Sequence, residues 1–267
     1  MSVAASTRRR DAVSTARPFL DLEADPISWD LPAADVCVLA AARARVADCE
    51  SDPEGTRRVN ATALAELARR MADRGSLVVL LSTNQVFDGE SARRKPTDAL
   101  APITAYGRQK AEAEAAIRSL GGSGAVLRLT KVLTADLPLV QTWLGNLAAA
   151  KPIAGFNDMR LAPVRAEKVA EALVLICRRR AAGVFQASGD RDIAYDDFAR
   201  QVAAAAGADP GLVRATSSEA AGMIAAMRPW HTTLDTGTLA ELGWVPETSE
   251  QAIARYCTET LGLRGAQ

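Results

Sequence analysis

The sequence predicts an α/β protein built on a doubly wound parallel sheet, and three observations carry that expectation. The runs Val36 to Ala41, Leu77 to Ser82 and Ala125 to Leu129 are apolar almost throughout, as strands covered on both faces must be. Longer amphipathic stretches lie between them. Thr56 to Asp73 puts Val59, Ala63, Leu64, Leu67 and Met71 on one helical face and stops before Gly75, a candidate C-cap. Thr104 to Leu120 repeats that pattern and ends at the turn GGSG, residues 121 to 124, ahead of the next strand.

The remaining elements follow in order. Ser2 to Ser6 and Pro18 to Leu22 read as two further strands at the start of the chain. After Thr130 the spacing loosens into a helix Leu139 to Ala150, a loop, a helix Ala166 to Arg179, a strand Gly183 to Ala187 and a helix Tyr195 to Ala206. The C-terminal part is expected to be a smaller lobe over the carboxyl edge of the sheet, where open α/β sheets bind ligands.

Composition narrows the function. The 267 residues are 48% hydrophobic and 24% charged, the balance of a soluble globular protein. Lys plus Arg and Asp plus Glu both number 32, so no global field draws the chain to nucleic acid. The single histidine, His231, excludes multi-histidine metal sites and leaves hydrolytic triads one candidate base. Cys37, Cys49, Cys177 and Cys257 form no Cys-x-x-Cys pair, which suits a reducing compartment without disulfides. No stretch approaches 18 uncharged apolar residues and no leader pattern opens the chain, so a cytoplasmic protein without membrane contact is expected.

The sharpest chemical signal is Tyr106-Gly107-Arg108-Gln109-Lys110 at the start of a helix. Residues four apart share a helical face, so both side chains address one site. A nearby ammonium favours phenolate, so Lys110 is expected to lower the Tyr106 pKa and fit it to trade a proton with a carbonyl or alcohol. Upstream, the strand LVVLLS runs into Ser82-Thr83-Asn84-Gln85-Val86-Phe87-Asp88-Gly89, placing a hydroxyl pair at the carboxyl end of a buried strand. A hydroxyl there can donate to a substrate carbonyl as charge develops, or merely cap the turn.

Together, Ser82-Thr83-Asn84-x-Val86-Phe87-Asp88-Gly89 and Pro102-x-x-x-Tyr106-Gly107-x-x-Lys110-x-x-x-Glu114 resemble the extended short-chain dehydrogenase/reductase superfamily, and within it the dTDP-4-dehydrorhamnose reductase family. Leu39 to Ala42, Asn60, Val126 to Thr130, Arg228-Pro229 and Thr233-Leu234-Asp235 continue the likeness in order. The resemblance implies a Rossmann-type NAD(P)-binding region over 1–135, and over 136–267 mainly a substrate lobe with remaining sheet elements interleaved. It implies NADP(H) as cofactor, with NAD(H) the alternative, a nucleotide-linked sugar as ligand, and a homodimer or a regulatory protein partner. Tyr106 becomes the acid/base, Lys110 the ribose contact that tunes it, and Thr83 the hydroxyl partner. Ala41 and Ala42 join Tyr106 and Lys110 against the cofactor, while Thr83, Asn84 and Arg228 face the sugar nucleotide.

Two departures shape these expectations. Asn84-Gln85 stand where the family usually has Asp-Tyr, which leaves the sugar open. The family also opens with a strand and a Gly-x-x-Gly-x-x-Gly turn that seats the pyrophosphate on a helix N-terminus, whereas the first glycine here is Gly55. Ser2 to Ser6 followed by Arg8-Arg9-Arg10 resembles the family's second strand, whose terminal basic residues pair with the 2′-phosphate of NADP; the Arg run read alone is as readily a solvated loop. A first strand and helix, on the order of 20 to 25 residues, then have no counterpart, and cofactor binding by these residues is expected to be weak. Two other readings use the same scaffold: a sugar-nucleotide epimerase or dehydratase, and a non-catalytic sugar-nucleotide-binding or regulatory protein like the regulatory subunit of methionine adenosyltransferase. Of the remaining residues, Trp29, Trp143, Trp230 and Trp244 are expected in the core, His231 at a boundary, and Asp158 with Arg160 as a loop ion pair.

Overall fold

The computed structural model describes residues 2–223 and 228–265. Its elements run β1 (Val36–Leu39), α1 (Val46–Ser51), α2 (Pro53–Arg57), α3 (Leu64–Ala72), β2 (Leu77–Thr83), α4 (Ala105–Arg118), β3 (Gly124–Leu129) and β4 (Lys131–Leu133). They continue α5 (Pro138–Ala148), β5 (Ile153–Phe156), β6 (Arg160–Leu161), β7 (Pro163–Arg165), α6 (Ala166–Arg179), β8 (Gly183–Ala187), β9 (Ile193–Ala194), α7 (Tyr195–Ala205), β10 (Val213–Thr216), α8 (Gly237–Ala240) and α9 (Ser249–Gly265). A four-stranded sheet has the order β1-β2-β3-β8, with β1 and β2 paired in parallel from Val36 opposite Leu77 to Leu39 opposite Leu80. The α/β class and its parallel sheet are therefore as the sequence predicts.

The chain divides into two compact units, one of Met1–Ser82, Thr104–Val126 and Arg180–Gly183, the other of Thr83–Ile103, Leu127–Arg179 and Val184–Gln267. In the first unit, Leu77 to Leu80 of β2 are at most 1% exposed, each burial contributing about 1.5–3 kcal/mol before entropy is counted. α3 covers the sheet with Leu64, Leu67 and Met71 of the predicted face, joined by Ala68. The predicted helix over 56–73 begins earlier, at Pro53 after the cap Asp52, and widens into a π-helical turn over Arg58–Ala63. Such turns keep a helix continuous while displacing one residue, and they cluster at functional positions.

The start of the chain differs from expectation. Ser2 to Ser6 and Pro18 to Leu22 are not strands; Thr7 and Phe19 form an isolated parallel bridge, and Ser14 and Arg17 an antiparallel one. A strand exists only through its ladder, and among the described residues β1, the end strand of the sheet, pairs with β2 alone. Val38 of β1 is correspondingly 41% exposed, an unusual state for a valine in a parallel sheet.

The second unit has its own core, where Trp143 of α5 meets Phe198 of α7 edge-on at 5.7 Å and Val140, Leu144, Ile153 and Val202 surround them. Parallel pairs β4 with β7 and β5 with β10, and an antiparallel pair β6 with β9, fasten this core. Trp143 and Trp244 are buried here and Trp29 in the first unit, but Trp230 is 54% exposed, contrary to the core role predicted for it. All four cysteines are free thiols. No helix of the described residues is long and apolar enough to cross a membrane.

Candidate active site

In the first unit the site is built on α4. Thr104 caps it by accepting the Gly107 N–H at 3.0 Å, and Glu50 accepts the Ala105 N–H at 2.7 Å, so a hydroxyl and a carboxylate secure the first turn. Tyr106 follows immediately, partly buried, with Lys110 one turn on and only 2% exposed. The helix is locked from the side. Gln109 accepts from Asn60 Nδ2 at 2.8 Å and donates to the Pro53 carbonyl at 3.0 Å and Thr56 Oγ1 at 2.9 Å. Arg57 grips Glu112 with two bonds of 2.8 and 2.6 Å.

Packing sets the acid–base character of this face. Burial pushes the Tyr106 phenol up to about 12, with the neighbouring Cys49 acting in the same direction. Burial pulls the Lys110 ammonium down to about 8, opposed by the carboxylate of Glu114 one turn further on. The expected lowering of Tyr106 is thus reversed here, because desolvation of the phenolate dominates and Cys49 adds to it. Glu114 is fully buried and accepts from Ser82 Oγ at 2.5 Å.

The predicted cofactor contacts Ala41 and Ala42 lie exposed just past the carboxyl end of β1. Asn60 controls their loop: its Oδ1 accepts the Arg43 N–H at 2.7 Å and its Nδ2 donates to the Arg43 carbonyl at 2.9 Å. Arg8 and Arg9 are both exposed, Arg9 paired with Asp11 at 2.7 Å and Arg8 lying 3.7 Å from Glu23. Glu23 also binds Arg43 at 2.5 Å, gathering two guanidinium groups beside the loop that follows β1. Sequence reading missed Arg43, since only the fold carries residue 43 to residue 23.

A dinucleotide needs three kinds of contact, and the residues present supply two. Tyr106 and Lys110 have the chemistry to hold a nicotinamide ribose, and Arg8 and Arg43, both beside the Glu23 carboxylate, have the charge to meet a phosphate. The pyrophosphate cradle of close-approaching backbone has no glycine to form it within residues 1–54.

In the second unit, Thr83 is 8% exposed and its Oγ1 accepts the Gln85 N–H at 3.2 Å, capping the 3-10 turn Asn84–Val86. Its O–H is directed to Asn84 Oδ1 only at 3.5 Å, a weak bond that a better acceptor can replace. Phe87 is buried beneath the guanidinium groups of Arg94 and Arg128, at 4.8 and 5.0 Å from the ring centroid. Arg128 also reaches Gln186 Oε1 at 3.1 Å, and Gln186 donates to the Arg94 and Asp235 carbonyls, so the stretch 86–94 is tied into the core. Arg228 meets exposed Glu219 at 3.3 Å, while its Nε is buried without a partner. Asp158 and Arg160 do not pair with each other as expected. Asp158 instead accepts from Ser217 Oγ, Ser218 N and Ser218 Oγ at 2.8–3.0 Å, bonds that hold it down at about 2 against the opposing effect of burial. Arg160 donates to the Asn157 carbonyl at 3.1 Å. His231 bonds to Asp192 at 3.1 Å.

The RmlD substrate binding domain family matches residues 6–261. A probable low-salt glycan biosynthesis reductase of Haloferax volcanii is 32% identical over 82% of this chain and 76% of its own length. The dTDP-4-keto-6-deoxy-D-glucose reductase of Streptomyces niveus is 30% identical over 78% of this chain and 73% of its own. Among solved structures, the dTDP-4-dehydrorhamnose reductase of Bacillus anthracis in complex with NADP shares the fold, with a TM-score of 0.78 at 20% identity, over 84% of this chain and 80% of the other. With an open parallel sheet flanked by helices and a match over residues 6–261, the chain belongs to the RmlD substrate binding domain family, whose curated relatives include proteins named as reductases.

Proposed function

We propose that this chain reduces a keto group on a nucleotide-linked sugar, with NADPH as the hydride donor and Tyr106 as the proton donor. The observation that carries the reading is the start of α4, where Tyr106 and Lys110 stand one turn apart on a helix capped by Thr104 and locked from the side through Gln109. The phenol is protonated at neutral pH, and it gives up that proton when a neighbouring positive charge stabilises the phenolate. The nicotinamide, when bound, supplies the hydride that forms the new C–H bond. The Tyr106 O–H proton goes to the carbonyl oxygen, and Lys110 stabilises the phenolate left behind. In the second unit, the Thr83 hydroxyl is assigned to donate to a substrate oxygen as charge grows on it, and Asn84 to contact the sugar. Arg228, with a buried Nε lacking a partner, offers charge-assisted bonds to the diphosphate. Ala41 and Ala42 line the cofactor, and Arg8, Arg9 and Arg43 favour its 2′-phosphate.

The test is NADPH oxidation followed at its absorbance band on addition of a dTDP-linked 4-keto-6-deoxy sugar. Turnover is expected; a protein that binds both ligands yet oxidises no NADPH sinks the reading.

A further inference from the structure

Residues 228–235 form an arm of the second unit that begins with Arg228. Its register is set by backbone bonds: the His231 N–H donates to the Gly89 carbonyl at 2.9 Å, the Arg93 N–H to the Thr233 carbonyl at 2.9 Å, and the Asp235 N–H to the Arg94 carbonyl at 3.0 Å. Gly89 has φ +81°, and a Cβ there would stand 2.9 Å from Pro229 Cβ, so the close approach of the two segments requires glycine. These contacts already hold the arm to the stretch 86–94.

A second device acts on the arm from elsewhere. The carboxylate of Asp192, whose side chain is 12% exposed, accepts five bonds from three consecutive residues. Its Oδ1 takes the Thr232 N–H at 2.7 Å, Thr232 Oγ1 at 2.8 Å and the Thr233 N–H at 3.0 Å; its Oδ2 lies 3.1 Å from both Thr233 Oγ1 and His231 Nδ1. A carboxylate only accepts, so His231 carries its proton on Nδ1 and, when neutral, leaves Nε2 as an acceptor. Meeting these five donors at once fixes both the curvature of residues 231–233 and the rotamers of their side chains. Just before them the arm carries Arg228, whose guanidinium meets Glu219 at 3.3 Å while its buried Nε has no partner, and the exposed ring of Trp230.

We propose that Asp192 is the positioning residue of this arm, holding residues 231–233 in the pose that presents Arg228 to the diphosphate of the sugar nucleotide. The proposal rests on the reading of Arg228 given above. Because Asp192 acts on binding geometry and not on the proton or hydride, its loss affects substrate affinity and leaves the chemical step nearly intact.

The experiment compares the intact chain with Asp192→Asn and Asp192→Ala by two readouts. Asparagine keeps the size but turns an N–H₂ toward donors, so it loses at least the bonds on one oxygen. In steady-state turnover with NADPH, KM for the sugar nucleotide is expected to rise on the order of 10-fold in Asp192→Asn, and more in Asp192→Ala, with kcat within roughly 3-fold. Hydrogen exchange is expected to show faster exchange at the amides of Thr232 and Thr233, with the amides of residues 93 and 235 still protected. Unchanged KM despite faster exchange, or a fall in kcat at constant KM, overturns the positioning role while leaving the reductase reading standing. If the unsubstituted protein neither binds nor turns over a sugar nucleotide, the reductase reading falls with it. Unchanged exchange in both variants overturns the role of Asp192 in ordering the arm whatever the activity shows.

Discussion

Within the first unit, the surroundings of α4 and the first twenty residues treat polar groups in opposite ways. Around α4, Asn60, Gln109, Lys110 and Glu114 are all at least 96% buried, and Asn60 and Gln109 join four segments through bonds of 2.7–3.0 Å. Along residues 2–20 the arginines are exposed, Val3 and Val13 are 73% and 48% exposed, and isolated bridges replace a ladder. Groups that exchange a proton need fixed geometry and a dry setting, and only a packed network supplies both. Groups that merely attract a phosphate tolerate exposure. The comparison teaches that α4 and the exposed arginines can fail independently, so the roles proposed for them can be tested separately.

The largest effect is expected from Tyr106→Phe, which keeps the ring packing and removes the proton. Turnover should drop by roughly 100-fold or more while NADPH binding, followed by calorimetry, stays the same. Turnover equal to that of the unsubstituted protein would remove α4 from the chemistry and erase the contrast.

Next in size is the Gln109→Leu substitution, which removes the buried hydrogen bonds of Gln109 to Asn60, Pro53 and Thr56. A loss of about 1–3 kcal/mol in folding stability is expected from a urea titration. A change below about 0.5 kcal/mol would show that the network is ornamental to stability. The same loss is not expected from Arg9→Ala, whose guanidinium is exposed.

The pH dependence sharpens the picture of Lys110. Its ammonium form supports the Tyr106 phenolate, and burial brings its titration down to about 8, so reduction measured as kcat/KM should decline as pH rises through about 8. Tyr106, raised to about 12, keeps its proton throughout that window and contributes no decline there. A profile flat from pH 7 to 9 would place the lysine charge outside the reaction.

The smallest effect belongs to the exposed side of the comparison. Arg8→Ala and Arg43→Ala should each narrow the preference for NADPH over NADH by roughly 3- to 10-fold, since solvent screens both groups. Equal affinities for the two cofactors before any substitution would remove the 2′-phosphate from the argument.

Local signals are legible in the sequence wherever a segment's own pattern decides its state. The helix Ala166–Arg179 and the strand Gly183–Ala187 are found with the bounds that periodicity predicts, and α4 lies one residue inside its predicted start, behind the Thr104 cap. The Tyr106–Lys110 pair is readable for the same reason, because helical spacing alone puts both on one face. The failures share a cause. Ser2 to Ser6 and Pro18 to Leu22 have strand composition, but a strand is defined by its neighbours. Trp230 is apolar enough for a core, yet the arm's attachment to Gly89 leaves it 54% exposed.

By itself, then, the sequence determined the α/β class, the helices and strands whose patterns are self-contained, and the residue types able to move a proton. Only the tertiary structure decided how those residues are tuned and held. Burial raises Tyr106 and lowers Lys110 against the simple expectation of mutual attraction, because desolvation depends on everything packed around a group and not on its neighbour in the helix. Asp192 and Arg43 gain their partners 39 to 41 and 20 residues away, separations at which no local pattern constrains distance. A helix turn is written in four residues, whereas a carboxylate that gathers five donors exists only once the chain has folded around it.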